Sequence, residues 1–294
     1  MTRIHKWIAT LCLMTAAGIA VAKPTVVVGG KSFTEQQVIA EMTALVLKNA
    51  GFDVDKRVDM GSSVLRAAQE NGQVDVYWEY TGTALVIYNK VQERLDRMGT
   101  YERVKSMDEP KGLIWLNPSE ANNTYAFAMR KEQAAADHIV TLSDLAATLN
   151  QGSKYLFASN AEFYSRSDGL KPLHDMYGFE FPRSQIKRMD GGLTYQALRD
   201  KQVDVALVLA TDGRIQAFDF VLLEDDKSFF PSYALTPVIR ADVLAANPEI
   251  AELLNALSAK LDSSIMSGLN AEVDVQRKSV ESVAQTFLTE NGLL

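Results

Sequence analysis

Gln73-Val-Asp-Val-Tyr-Trp-Glu-Tyr-Thr-Gly-Thr-Ala-Leu85 is the stretch from which the rest of the chain can be read. Val74 and Val76 alternate around Asp75, and the β-formers Tyr77 and Trp78 follow, which is the pattern of a buried strand. Tyr80-Thr81-Gly82-Thr83 is then a polar, glycine-containing turn that can open a helix at Ala84. A strand ending this way presents an aromatic ring and hydroxyls at the carboxyl edge of a sheet. In open α/β sheets that edge binds ligands.

The stretch recurs. Aligning Gln73-Val-Asp-Val76 on Gln202-Val-Asp-Val205 sets a register of 129 residues, and the stretches it relates read GSSVLRAAQENGQVDVYWEYTGT (61–83) and GGLTYQALRDKQVDVALVLATDG (191–213). In each copy a helix leads into a strand and the strand into a polar turn. Two similar α/β lobes facing each other follow from it.

Before the first copy, Thr25-Val-Val-Val-Gly29 is an apolar strand, and Val38, Ile39, Met42, Leu45, Val46 and Leu47 share a helical face that Gly51 stops. Val54–Met60 reads as a strand, and Ser62 or Ser63 as the cap of a helix through Gln69. This β-α-β-α-β order predicts a parallel sheet with crossover helices. Residues 91–112 read as helix followed by surface loop. Residues 113–116 and 124–129 read as strands, 155–159 as a strand and 161–177 as mostly helical. After the second copy come strands at 218–223 and 234–239, then a helical tail from Pro248. No Pro/Gly-rich linker separates the lobes, so the chain crosses between them on strands.

Arg3, His5 and Lys6 precede an apolar run from Trp7 to Val21 that ends in the A-x-A site Ala20-Val21-Ala22. This is a secretory leader cleaved after Ala22, shorter than the roughly 20 residues a membrane span needs. Leu11 is too bulky for lipidation at Cys12, the single cysteine, so the exported chain of residues 23–294 is built without disulfides. Losing Arg3 and Lys6 takes the formal charge from −7 to −9, and no Lys/Arg cluster stands against it. Nucleic acid and anionic membrane surfaces are excluded as partners on that ground.

Six ordered segments carry a further pattern: Lys31-Ser-Phe-Thr-Glu-Gln36, Glu79-Tyr-Thr-Gly-Thr83, Asn123-Thr-Tyr125, Glu162-Phe163 with Arg166 and Asp168-Gly169, Thr211-Asp-Gly213 and Glu224–Tyr233. Over nearly the whole exported chain this resembles the glycine betaine/choline/carnitine-binding proteins of osmoprotectant ABC transporters. The resemblance implies a two-lobed periplasmic-binding-protein fold (Venus-flytrap, type II) with two hinge-crossing strands. It divides the chain into leader (1–22), lobe 1 (23–128), lobe 2 (129–231) and a return to lobe 1 (232–294). It also implies a quaternary-ammonium cage at Tyr80, Tyr125 and Tyr233. Lys31, Thr83 and Arg166 match the contacts to a ligand carboxylate, and Gln36 the same cleft. The family's fourth cage tyrosine is replaced by Leu209, and the internal repeat independently pairs Leu209 with Tyr80. Each cation–π contact is worth about 0.5–2 kcal/mol, so its loss implies a low-affinity betaine site or a substrate that wants an apolar wall.

The chemistry of the residues agrees with that resemblance. A trimethylammonium group cannot donate a hydrogen bond, and aromatic faces satisfy its charge and its methyls together. A carboxylate wants an arginine fork and a lysine point charge. Local pattern alone reads Tyr80 and Tyr125 as half-buried sheet tyrosines and Arg166 as a surface residue. It reads Trp78 and Trp115 as core, Tyr195 as packing, Asp75 and Asp204 as structural, and Glu224-Asp225-Asp226 as a solvated turn. Gly30-Lys31-Ser32 ends like a phosphate-binding loop, but Thr25 stands where its first glycine belongs. His138 and His174 lie in unrelated segments, and HExxH, CxxC and GxSxG are missing. The expectation is therefore a periplasmic, monomeric binding protein, not an enzyme, with no metal or cofactor, that hands its ligand to a membrane permease. The alternatives kept open are another small zwitterion as ligand, and a sensor that serves a signalling receptor.

Overall fold

The computed structural model describes residues 24–93 and 95–294. The leader expected over 1–22, with Cys12, lies outside the described residues. Among the described residues no helix is long and apolar enough to cross a membrane.

Two five-stranded sheets carry the fold. The first contains β1 (Thr25–Lys31), β2 (Asp53–Met60), β3 (Val76–Tyr80) and β4 (Leu113–Trp115). The second contains β5 (Tyr125–Arg130), β6 (Phe157–Ser159), β7 (Ile186–Arg188), β8 (Val205–Leu209) and β9 (Phe220–Leu222). The chain then returns as β10 (Leu235–Arg240) to the first sheet, giving the orders β2-β1-β3-β10-β4 and β7-β6-β8-β5-β9. In each sheet three parallel strands are followed by one antiparallel strand arriving from the other sheet. The two crossings touch: Asn122 and Ala234 form an antiparallel bridge, and Asn123 N donates to Tyr233 O at 3.2 Å. The division expected after residue 128 falls inside β5, all of which belongs to the second sheet.

The internal repeat is a repeat of hydrogen bonds. Asp75 Oδ2 accepts from Val27 N at 2.8 Å, and Asp204 Oδ2 accepts from Leu156 N at 2.8 Å. The same aspartates donate their own N–H to Val27 O and Leu156 O. Each fastens the start of the central strand (β3 or β8) to its parallel neighbour, and bonds to a charged acceptor contribute about 1.5–3 kcal/mol each.

In the first half the helices are α1 (Thr34–Asn49), α2 (Ser62–Glu70), α3 (Thr81–Thr83, continuing as a π-helical turn over Ala84–Tyr88) and α4 (Arg97–Asp108). Neither Ser62 nor Ser63 caps α2: Gly61 holds that position and supplies no side-chain bond. Residues 91–112 reverse the expected order, irregular first and helical after. Asp96 decides this by accepting from Gly99 N at 2.7 Å, an N-cap interaction. Asp108 at the far end holds the buried Arg66 guanidinium through two bonds of 2.7 and 2.8 Å.

Around the second sheet lie α5 (Lys131–Ala136), α6 (Leu142–Asn150), α7 (Ala161–Ser165), α8 (Leu170–Tyr177), α9 (Gly191–Arg199) and α10 (Arg214–Ala217). The helix expected over 161–177 is broken in two, because Arg166 leaves α7 in an extended conformation (ψ 151°) and turns toward Asp168. The short β7 was not legible, having one apolar residue, Ile186, between polar neighbours. The tail is α11 (Ala241–Ala246), α12 (Glu249–Ser258), α13 (Ser263–Asp274) and α14 (Val280–Glu290). Its inner face packs on Val38, Ile39 and Met42 of α1; burying each such side chain is worth about 1.5–3 kcal/mol. Trp78 and Trp115 are core, their indole N–H groups donating to Thr43 Oγ1 and Asp108 Oδ2.

Candidate ligand-binding site

A cavity of about 670 Å³ opens where the two sheets face each other, a size that suits small-molecule sites. It sits at the carboxyl ends of β1, β3 and β8, where strand hydrogen bonding stops and turns project side chains. Thr34, Ser62 and Gly191, the first residues of α1, α2 and α9, line it, so helix N-termini add positive potential.

Tyr80, Tyr125, Leu209 and Tyr233 all line this cavity, as do Lys31, Thr83 and Arg166. They arrive from β1, β3, α3, β5, β8, the α7–α8 turn and the segment before β10, so only the assembled sheets bring them together. Gln36 is the exception. It is fully buried behind the wall, its Nε2 donating to Trp78 O at 3.0 Å and its Oε1 accepting from Lys31 N at 3.4 Å. On α1 its side chain points back to the β1–β3 edge, where it orders strand ends.

The tyrosines are held by their hydroxyls. Tyr80 OH donates to Glu35 Oε1 at 2.7 Å, and Tyr233 OH to Asp168 Oδ2 at 2.9 Å. Tyr125 stands nearly perpendicular to Tyr233 (83°, centroids 5.9 Å apart). Burial pushes all three phenols above their usual range, and the carboxylates beside Tyr80 and Tyr233 push further. The rings therefore present neutral, oriented faces.

The cations are already engaged. Lys31 Nζ lies 2.5 Å from Glu79 Oε1, both side chains buried, and 4.9 Å from the Tyr80 ring centroid. Arg166 gives Nε and Nη2 to the two oxygens of Asp168 at 2.7 and 2.6 Å, and Nη1 to Glu162 Oε1 at 3.1 Å. Its guanidinium also lies 5.4 Å from the Tyr125 ring centroid. Burial works against that charge, but the hydrogen bonds to Asp168 outweigh it and the pKa is raised.

Leu209 pairs with Tyr125 across β5 and β8, and its N–H donates to Tyr195 OH at 2.9 Å. Tyr195 thus lines the cavity as well as packing the lobe. The Arg214 guanidinium lies 4.0 Å from its ring centroid and forks onto Asp212. On the Leu209 side the cavity has an apolar wall beside an aromatic that already carries an internal cation.

Sequence reading missed Glu35. Its buried carboxylate accepts from Tyr80 OH, Asn123 Nδ2, Thr211 Oγ1 and Asn270 Nδ2. These partners come from β3, the crossing segment, the turn after β8 and α13, and no local pattern connects residues 35 and 270. Burial raises the Glu35 pKa, and the four hydrogen bonds oppose the rise. Phe33, stacked 6.2 Å from Tyr80, was also missed, although it lies in the quoted Lys31–Gln36 segment. The acidic run is not a free solvated turn. Asp225 accepts from Tyr177 OH and from Phe229 and Phe230 N–H, shaping the loop that delivers Tyr233.

Residues 24–290 match the family model described as the substrate binding domain of ABC-type glycine betaine transport systems. A glycine-betaine-binding protein of Pseudomonas aeruginosa is 44% identical, the alignment covering 99% of this chain and 96% of that one. The glycine betaine-binding protein YehZ of Escherichia coli is 31% identical, with 99% of each covered. Among solved structures, a glycine betaine/carnitine/choline ABC transporter protein superposes with a TM-score of 0.75 at 32% identity, covering 91% of this chain and 99% of that one.

Proposed function

The chain belongs to the family of substrate-binding domains of ABC-type glycine betaine transport systems, and we propose that its own cleft captures quaternary-ammonium solutes of the glycine betaine, choline and carnitine type. The observation that carries the reading is the meeting of Tyr80, Tyr125 and Tyr233 on one cavity between the sheets. Three neutral, oriented rings suit a group that needs an electrostatic and apolar wall but no hydrogen-bond acceptor. In this reading Leu209 closes the cage as a fourth, non-aromatic wall. Lys31, Thr83 and Arg166 receive the ligand's polar end, and Gln36 acts behind them by holding the Lys31 backbone.

The ligand touches side chains delivered by both sheets, so it favours whichever arrangement brings the sheets together. It does so only by its differential affinity for that arrangement. The closed form then docks on the membrane permease of the importer. We further propose that the chain works as a monomer in the periplasm after cleavage behind Ala22, that it needs no cofactor, and that it has no catalytic role. The relatives described above are glycine betaine-binding proteins.

Calorimetric titration with glycine betaine, choline and carnitine tests the reading. Saturable binding without turnover is expected. Failure of all three to bind would remove the trimethylammonium assignment and leave the alternatives of another small zwitterion or a sensor's ligand.

A further inference from the structure

Arg166 meets two carboxylates that differ in kind. Asp168 is nearly buried and takes the Nε/Nη2 edge through two short bonds. Glu162 is about half exposed (side chain 45%), lines the cavity, and holds the remaining corner, Nη1, through one bond of 3.1 Å. The first contact is bidentate and desolvated, and removing it would strand a buried charge. The second is a single bond from the buried arginine to a half-exposed carboxylate four residues away; Arg166 stays paired with Asp168 when it opens, so it contributes little and opens readily. The other cations of the lining are no easier to reach, since Lys31 is buried against Glu79 and Arg214 forks onto Asp212.

We infer that Glu162 is a displaceable internal stand-in for the ligand's carboxylate, and that it sets how strongly this cleft favours carboxylate-bearing betaines over choline. The inference rests on the quaternary-ammonium reading above. A betaine carboxylate reaching Arg166 must take the Nη1 corner from Glu162, because Asp168 stays. Once displaced, the Glu162 carboxylate remains within a Debye length of about 8–10 Å of the site and repels the incoming anion. Choline brings no carboxylate, leaves the Glu162–Arg166 pair intact, and gains from the nearby negative charge. Asp168 has the opposite part as a positioning residue, holding the guanidinium over Tyr125 and joining it to Tyr233 OH.

The test is Glu162→Gln, with Glu162→Ala as a second variant, each titrated with glycine betaine and with choline beside the wild-type chain. The betaine Kd is expected to fall about two- to tenfold, as suits the loss of an exposed competitor. The choline Kd should not fall, so the affinity ratio of betaine to choline rises. Raising the salt should improve that ratio in the wild type and change it less in the variants. Weaker betaine binding in both variants would make Glu162 a positioning residue and overturn the inference, as would parallel changes for both ligands or none for either. If choline binds but the betaine response is absent, only this inference fails. If neither compound binds any of the proteins, the quaternary-ammonium reading falls and takes the inference with it.

Discussion

The Tyr233 hydroxyl donates to Asp168 Oδ2 over 2.9 Å, and the same oxygen accepts from Arg166 Nη2 at 2.6 Å. A tyrosine leading into the first sheet is thereby tied to the arginine that breaks a helix of the second. Tyr233→Phe keeps the ring and removes the tie. It should weaken glycine betaine about tenfold or more, as expected for losing one hydrogen bond to a charged group worth about 1.5–3 kcal/mol, while Tyr233→Ala should cost more. Wild-type affinity in Tyr233→Phe would show that the tie has no bearing on binding.

Leu209 can be given the aromatic wall it lacks. Leu209→Tyr should tighten betaine and choline by a few-fold to about thirtyfold, one cation–π contact's worth. Titration calorimetry measures this directly. The obstacle is Arg214 stacked on neighbouring Tyr195. If the variant binds no more tightly, that internal cation already sets the charge on this side of the cavity.

Arg166→Ala should separate ligand classes. The loss for glycine betaine should exceed tenfold, because a charge-assisted contact of about 1.5–3 kcal/mol disappears, while choline should lose much less. Equal losses for both would take Arg166 out of the carboxylate role.

Gly213 packs against α13 so closely that an added Cβ would lie 2.3 Å from Ala271 Cβ and 2.6 Å from its Cα. Its φ of −64° suits any residue, so the constraint is contact and not backbone conformation. Backbone cannot step aside as a flexible side chain would. Gly213→Ala should lower stability by about 1–3 kcal/mol and, by parting the Thr211–Gly213 turn from α13, weaken ligand binding too. Thermal unfolding with and without betaine would separate the two effects.

His174, outside the cavity lining, supplies a pH dependence. Burial against Phe179 and Phe181 depresses its pKa to about 4. A histidine depressed in the folded state contributes stability that is full above its ordinary value of about 6.5 and is lost as pH falls through about 4. Partial exposure limits the effect to about 2 kcal/mol. His174→Phe should therefore flatten the fall of Tm between pH 6.5 and 4; an unchanged fall would assign the acid sensitivity elsewhere.

Legibility followed the range of the interactions. The parallel strands, the long first helix and the internal repeat were readable because alternation, helical spacing and the Gln-Val-Asp-Val string are local patterns. The aspartates of that string proved to make equivalent bonds in both sheets. Residues 91–112 were read in the wrong order because an N-cap at Asp96 and a pairing of Arg66 with Asp108 outweighed a weak hydrophobic pattern. Arg166 was read within a helix, and its turn out of that helix depends on Asp168 and on a tyrosine at position 233.

Composition, strand–helix alternation and the ordered motifs determined by themselves what kind of protein this is and, Gln36 apart, picked out side chains that line its cavity. They did so because binding chemistry leaves its residue types, here tyrosines and paired cations, in the chain. Tertiary structure alone decided what those side chains are doing before any ligand arrives. It paired Lys31 with Glu79, divided Arg166 between Asp168 and Glu162, turned Gln36 away from the cavity and gathered four donors onto Glu35. Hydrogen bonds and ion pairs form between neighbours in space, and residues 35 and 270 become neighbours only when the fold is complete.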